Sequence, residues 1–146
     1  MIVISDSNIL MSGLYNPNGT IVKILTSKSK IQFLAPQYLF EEIEEHLSKI
    51  SDYTKKSRRK ILEDLKRLTA GITIINIENI SPESKKKSFE LTFDIDLDDA
   101  PFVALHLHTG HKIWTGDIHL IKGLLKKGYD ICVTTEELKK FLYKKD

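Results

Sequence analysis

The sequence predicts a single α/β domain, with a central, mostly parallel sheet of about five strands and helices on both faces in three layers. Three observations predict it. Short apolar runs rich in β-branched or aromatic residues recur at 2–5, 31–34, 72–75, 112–115 and 130–133. Runs this short and this apolar suit strands buried on both faces. Helical patterns separate them, and alternating strands and helices build a parallel sheet through crossover connections. The length, 146 residues, suits one domain, taken as 1–143 with a short tail at 144–146.

The elements follow in order. After the first strand and a loop at 13–19, a helix is expected over 20–28, following Gly19. The next, 36–50, opens on Pro36, acceptable in a first helical turn, and carries Leu39, Ile43, Leu47 and Ile50 as a stripe at helical spacing. Residues 55–69 carry Ile61, Leu62, Leu65 and Leu68 and stop near Gly71. The stretch 76–81 is the most loop-like connector, and 82–91 a shorter, polar helix. Residues 99–109 are apolar nearly all round and stop at Gly110, 118–127 stop at Gly128, and 135–143 close the chain.

Composition narrows the function classes. Hydrophobic residues make up 41% of the chain, enough for a core. Charged residues make up 29%, and no apolar run approaches the roughly 20 residues that span a bilayer. The opening MIVIS breaks at Asp6, too early for a signal-peptide core, so a cytoplasmic protein is expected. The one cysteine, Cys132, forms no internal disulfide and reads as a buried, inert thiol. Net charge is only +2, but Lys55, Lys56, Arg58, Arg59 and Lys60 fall together, as do Lys85, Lys86 and Lys87. Either run reads as a solvated helix face or as a basic rim holding a polyanion around an acidic centre.

The acids converge by topology. Open α/β sheets bind ligands outside the carboxyl ends of their strands. Asp6 sits just past the first strand and Asp117 just past the KIWT strand. Asp98 and Asp99 precede the helix 99–109; one can cap it and the other bind a cation. Four glutamates stand at 41, 42, 44 and 45, of which Glu41 points away from the apolar stripe while Glu42 and Glu44 flank it. Carboxylates crowded together raise one another's pKa or require a cation. Mg²⁺ or Mn²⁺ suits an all-oxygen set and supplies the chemistry of phosphodiester hydrolysis.

These residues resemble the PIN-domain family over nearly the whole chain. The segment 2-IVISDSNILMSG-13 is similar to the family's opening strand followed by Asp-Thr/Ser-Asn. The segment 36-PQYLFEEIEEHL-47 is similar to its helix whose glutamate precedes an aliphatic residue, which favours Glu42. The segment 98-DDAPFVALHLHTGHKIWTGDIHLIKG-123 is similar to its aspartate before an apolar helix and its strand ending in Thr-Gly-Asp, which favours Asp99 and Asp117. The resemblance implies a five-stranded parallel sheet and a Mg²⁺- or Mn²⁺-dependent endoribonuclease with Asp6, Glu42, Asp99 and Asp117 as catalytic metal ligands. It implies supporting roles for Ser7 and Asn8, while Thr115, near the site, and Asp98, at the helix start, are further supporting candidates. It also implies RNA as substrate, homodimerisation, and a toxin's partnership with an antitoxin protein. His106 and His108 stand where such helices often carry small residues.

Other residues have a plain reading beside a functional one. Lys55, Lys56, Arg58, Arg59, Lys60 and His119 are candidates for contacting substrate. Tyr15, near the loop 13–19, is a candidate for stacking on a base. Trp114 reads as core. His46, His106, His108, His111 and His119 do not make a zinc site, because 106 and 108 diverge on a helix and no cysteine lies nearby. Two rival functions are a PIN-like nucleic-acid-binding or assembly module that does not cleave, and a small-molecule phosphatase. The second is weakened because residue 8 is Asn rather than a second Asp.

Overall fold

The structure, a computed structural model, describes residues 1–28 and 30–143; the expected tail, 144–146, lies outside the described residues. Five parallel strands form one sheet in the order β3-β2-β1-β4-β5. They are β1 (Ile2–Ser5), β2 (Gln32–Pro36), β3 (Ile72–Ile75), β4 (Lys112–Trp114) and β5 (Cys132–Val133). The central strand β1 aligns Val3 with Phe33 on one side and with Lys112 on the other.

Between β1 and β2 lie α1 (Ser7–Tyr15) and α2 (Thr20–Thr26); between β2 and β3 lie α3 (Tyr38–Glu45), α4 (Leu47–Thr54) and α5 (Arg58–Thr69). The path then runs through α6 (Pro82–Thr92) and α7 (Ala100–Thr109) to β4, through α8 (Ile118–Lys126) to β5, and ends in α9 (Thr135–Leu142). Right-handed crossovers put α1–α5 on one face and α6–α8 on the other. In keeping with this, α1 packs against α3, α4 and α5, whereas α7 packs against α6, β1, β2 and β4. That wedged position explains why α7 is apolar nearly all round: Phe102, Val103, Ala104 and Leu105 are all buried. Trp114 is fully buried, 5.7 Å from the Phe33 ring, and its indole N–H donates to Thr135 Oγ1 at 3.0 Å. It is core, as read from sequence. None of the described helices is long and apolar enough to cross a membrane.

Several boundaries differ from the sequence reading. Pro36 does not open a helix; it closes β2, opposite Ile75, at a strand end where a missing N–H costs least. The helix expected over 36–50 is two helices, α3 and α4, broken at His46 (φ −102, ψ 3). Both halves keep the apolar stripe, with Leu39, Ile43, Leu47 and Ile50 all buried. The helix α1 was not anticipated. Its buried side, Ile9, Leu10, Gly13 and Leu14, follows directly on the Asp-Ser-Asn segment, which reads as a turn. Gly13 lets α1 approach α5, because a Cβ there would lie 3.2 Å from Leu68 Cδ1. The basic run does not start a helix at 55: Lys55 adopts φ 61 as the left-handed cap of α4, and α5 begins at Arg58 after a Ser57 cap.

Candidate functional site

The sheet order reverses between β1 and β4: the chain leaves β1 for β2 and β3, then returns past β1 to β4. Such a reversal opens a crevice at the carboxyl ends of the two strands, where ligands of open α/β sheets bind. Asp6 lies at one lip, and its N–H donates to Trp114 O at 3.0 Å, tying the two strands together. Asp117 lies at the other lip, two residues past Thr115.

Asp6 is buried and well bonded. Its Oδ1 accepts from Ser7 N at 2.8 Å and its Oδ2 from Thr115 Oγ1 at 2.7 Å. The Thr115 hydroxyl also accepts from Asn8 Nδ2 at 3.2 Å and from Asp117 N at 3.1 Å. Its one donor and two acceptor sites are therefore all used, and it locks the loop after β4 to the turn after β1. Ser7 Oγ lies 3.0 Å from Glu42 Oε1 and 3.5 Å from Asp6 Oδ1. With a single hydrogen to donate, it serves Glu42 and brings α3 to the crevice. Glu44, the rival from the sequence, instead faces outward to Arg58 at 3.6 Å, both side chains being exposed.

Asp117 caps α8, its Oδ1 accepting from His119 N and Leu120 N at 3.0 and 3.2 Å. The division expected between Asp98 and Asp99 is different from the one found. Neither side chain caps α7. Asp99 stands at the helix start with helical backbone angles and makes no capping bond, because a 3₁₀ turn at Leu97–Asp99 precedes the helix. Asp96 caps that turn, accepting from Asp98 N at 2.9 Å. Asp98 accepts from the Tyr38 hydroxyl at 2.8 Å, joining the turn to α3. Asp99 is buried, and its Oδ2 has no hydrogen-bond partner. Sequence reading missed Asp96 and Tyr38. The third acid of Asp96-x-Asp98-Asp99 was the available signal; nothing in the sequence marked Tyr38.

The electrostatics match this crowding. Burial, opposed by the Thr115 and Ser7 hydrogen bonds and aided by the charge of Asp117, pushes the Asp6 carboxyl up to about 6. Burial and the charges of Asp6 and Asp98 push Glu42 up to about 7. Burial, then the charges of Asp6, Asp96, Asp117 and Glu42, push Asp99 up to about 8. Like charges in a poorly hydrated crevice behave in this way unless a cation compensates. The donor set is all oxygen, suited to a hard divalent ion, and the unpartnered Asp99 oxygen is a vacant acceptor. Among the described residues, no three His, Cys, Asp or Glu side chains are already gathered tightly enough to hold an ion by themselves. Mg²⁺ is commonly held through one or two carboxylates and several waters, which this spread of acids allows.

Other candidates fall outside the crevice or are occupied. Lys56 and Lys60 each pair with Asp64 at 3.1 Å, and Arg59 with Glu63 at 3.5 Å. Tyr15 is partly buried and packs edge-on against Tyr53 at 5.1 Å, so it is not an open stacking platform. His106 Nδ1 lies 2.6 Å from His111 O, and His108 Nδ1 accepts from Ser81 N at 3.2 Å; both serve local structure. Cys132 is half-buried, and burial with nearby acids pushes its thiol up to about 12.

Fold and crevice together define a doubly wound α/β protein with a carboxylate-lined switch point. The family model of the PIN domain matches residues 3–142, and the chain belongs to the PIN-domain family. Solved structures that share its fold include these two. PAE2754 from Pyrobaculum aerophilum superposes with a TM-score of 0.65 at 12% identity, over 94% of this chain and 86% of that one. VapBC2 from Rickettsia felis, solved bound to a DNA fragment from their promoter, gives a TM-score of 0.63 at 14% identity, over 92% and 97%. No curated protein matches the chain.

Proposed function

We propose that this protein is a metal-dependent endoribonuclease whose active centre is the crevice between β1 and β4. The observation that carries the reading is the convergence of Asp6, Glu42, Asp99 and Asp117 around Ser7 and Thr115, with three of the four carboxyls pushed up toward or past neutrality. Membership in a family whose members are generally nucleases supports it. Asp6, Asp99 and Asp117 would hold Mg²⁺ or Mn²⁺, with Glu42 completing the set. Bound there, a divalent cation would polarise a phosphoryl oxygen and make water a better nucleophile near neutral pH. Thr115 orients Asp6 and, through Asn8 and the Asp117 amide, fixes the spacing of both lips. Glu42, which accepts from Ser7 Oγ at 3.0 Å, would complete the shell or orient the attacking water. The exposed cations Lys55, Arg58 and Arg59, with Lys56 and Lys60 beside Asp64, would attract the flanking phosphates, and His119 would stand beside the strand.

The role in the cell follows as part of the same proposal: a cytoplasmic toxin that homodimerises and is restrained by an antitoxin protein, by analogy with the VapBC2 fold. The deciding experiment is cleavage of a panel of RNAs with Mn²⁺ or EDTA by wild type, Asp6→Asn and Asp117→Asn. Each substitution should lower the rate by more than about 100-fold, the upper end for losing even an outer partner of a metal ligand, with folding intact by circular dichroism. Metal-dependent cleavage by Asp6→Asn at the wild-type rate would overturn the assignment. Binding of RNA without cleavage by wild type would favour the non-cleaving module.

A further inference from the structure

Beside the acidic crevice lies a second concavity that the reaction as described does not use. It has a volume of about 200 Å³ and is lined by Pro36, Gln37, Tyr38, Glu41, Ile77, Ile80, Pro101 and Ala104. Three of these residues tie it to the crevice. Tyr38 forms part of its wall while its hydroxyl donates to Asp98 at 2.8 Å. Pro101 lies two residues beyond Asp99 on the first turn of α7, and Glu41 precedes Glu42 on α3. Glu41 points away from the apolar stripe of α3, and it borders this groove.

We propose that the groove is the pocket for one nucleobase beside the scissile phosphate, and that Glu41 selects a base offering N–H donors, guanine above all. This rests on the ribonuclease reading. Size decides against larger occupants, since pockets for drug-sized ligands run from about 300 to 1,000 Å³; this one suits a single flat ring. Its walls are prolines, isoleucines, an alanine and a tyrosine ring, surfaces on which a base can stack. Charge decides which part of a nucleotide enters. Glu41, next to Glu42 on α3, repels phosphate but accepts hydrogen bonds. A carboxylate accepts two at once, and guanine presents adjacent N1–H and N2–H donors on its Watson–Crick edge. Uracil offers a single N–H flanked by carbonyl oxygens that a carboxylate repels. Gln37, with both a donor and an acceptor, is placed on the same wall to read the neighbouring carbonyl.

The test uses the full chain with Mn²⁺ and four single-stranded RNAs differing only in the base on each side of one cleavage site. Wild type should favour guanine over uracil at one of the two positions. Glu41→Gln should shrink that preference by about 5- to 100-fold, the discrimination a bidentate base contact supplies, chiefly by slowing cleavage of the guanine substrate. Ile77→Ala, at an exposed position, should raise KM for all four RNAs and leave kcat alone. Guanine preference unchanged in Glu41→Gln would overturn the proposal. So would either substitution dissociating a dimer in sedimentation while leaving base preference intact, since the groove would then be a protein interface. If wild type cuts none of the RNAs, the ribonuclease reading fails instead. Binding of 5′-GMP and 5′-UMP by calorimetry then still decides the pocket: equal affinities overturn it.

Discussion

Asp99 is the acid whose charge the fold accommodates least, and replacing it with asparagine separates stability from function. Unfolded, it ionises near 3.8; folded, burial and four neighbouring acids push it up to about 8. Between those values the unfolded chain sheds the proton first, so wild-type stability falls as pH rises from about 4 to about 8. At pH 7.5 the full displacement would correspond to about 5 kcal/mol. Water and salt reach the half-buried Glu42 and Asp117 that share the crevice, and screening reduces the effect to about 1–2 kcal/mol. Asparagine keeps the shape, carries no charge, and offers an N–H₂ to the surrounding carboxylates. In EDTA at pH 7.5, Asp99→Asn should therefore melt about 2–8 °C above wild type, at about 2–4 °C per kcal/mol for a chain of this size. The gap should close by pH 4. Mn²⁺ at 100 times its Kd stabilises a protein that binds it by about 2.7 kcal/mol, which would reverse the order, since the variant lacks a ligand. Paired thermal melts and RNA cleavage measure all of this. A variant that melts below wild type in EDTA at pH 7.5, or that gains as much as wild type from Mn²⁺, would refute the reasoning.

Other substitutions probe the supporting structure. Thr115→Val removes a hydroxyl that bonds Asp6, Asn8 and the Asp117 amide. It should destabilise by about 1–3 kcal/mol in urea titrations and slow RNA cleavage by about 10–100-fold. Asp64 is buried among Lys56, Lys60 and Arg67. Burial opposes its ionisation, but hydrogen bonds and charges from Lys56 and Lys60 outweigh it and lower its pKa. Its contribution is present above pH 4 and lost progressively as pH falls through its lowered folded pKa, so Asp64→Asn should cost about 1–2 kcal/mol at pH 7 and progressively less on acidification below pH 4, by chemical denaturation. The Cys132 thiol, pushed up to about 12, should have roughly one thiolate in 10⁴ molecules at pH 8. Iodoacetamide labelling followed by mass spectrometry should therefore be far slower in the native protein than in urea.

The sheet was legible because its strands are short apolar runs, and all five were placed by pattern alone. β3 matches to the residue, while Cys132–Val133 is half the expected run of β5 because only two residues pair with β4. The helix α1 was hidden by Asp-Ser-Asn, residues that favour turns as well as caps. Here Asp6 caps the helix by accepting from Ser7 N. The break at His46 was invisible because Leu47 and Ile50 continue the helical spacing across it. For the candidate site, Asp6 and Asp117 were placed by topology, since residues just past parallel strands share one edge. Glu42 over Glu44 was not decidable from periodicity, since it depends on Ser7, which lies 35 residues away in the chain. The exchange of roles among Asp96, Asp98 and Asp99 depends on a 3₁₀ turn three residues long, too short to leave a periodic trace.

The central position of β1 bears on when the crevice comes into being during synthesis. The first strand of the domain to be synthesised is not flanked on both sides until β4 arrives, more than 100 residues later. Asp6 meets its hydroxyl partner across a separation of 109 residues. Pairings so distant in sequence form late and slowly, and domains fold as units as the chain emerges. A nascent chain that has passed Asp99 but not yet Thr115 already carries Asp6, Glu42 and Asp99, yet has neither the second lip nor the hydroxyl that aligns the first. The topology thus withholds the assembled crevice until translation of the domain is nearly complete.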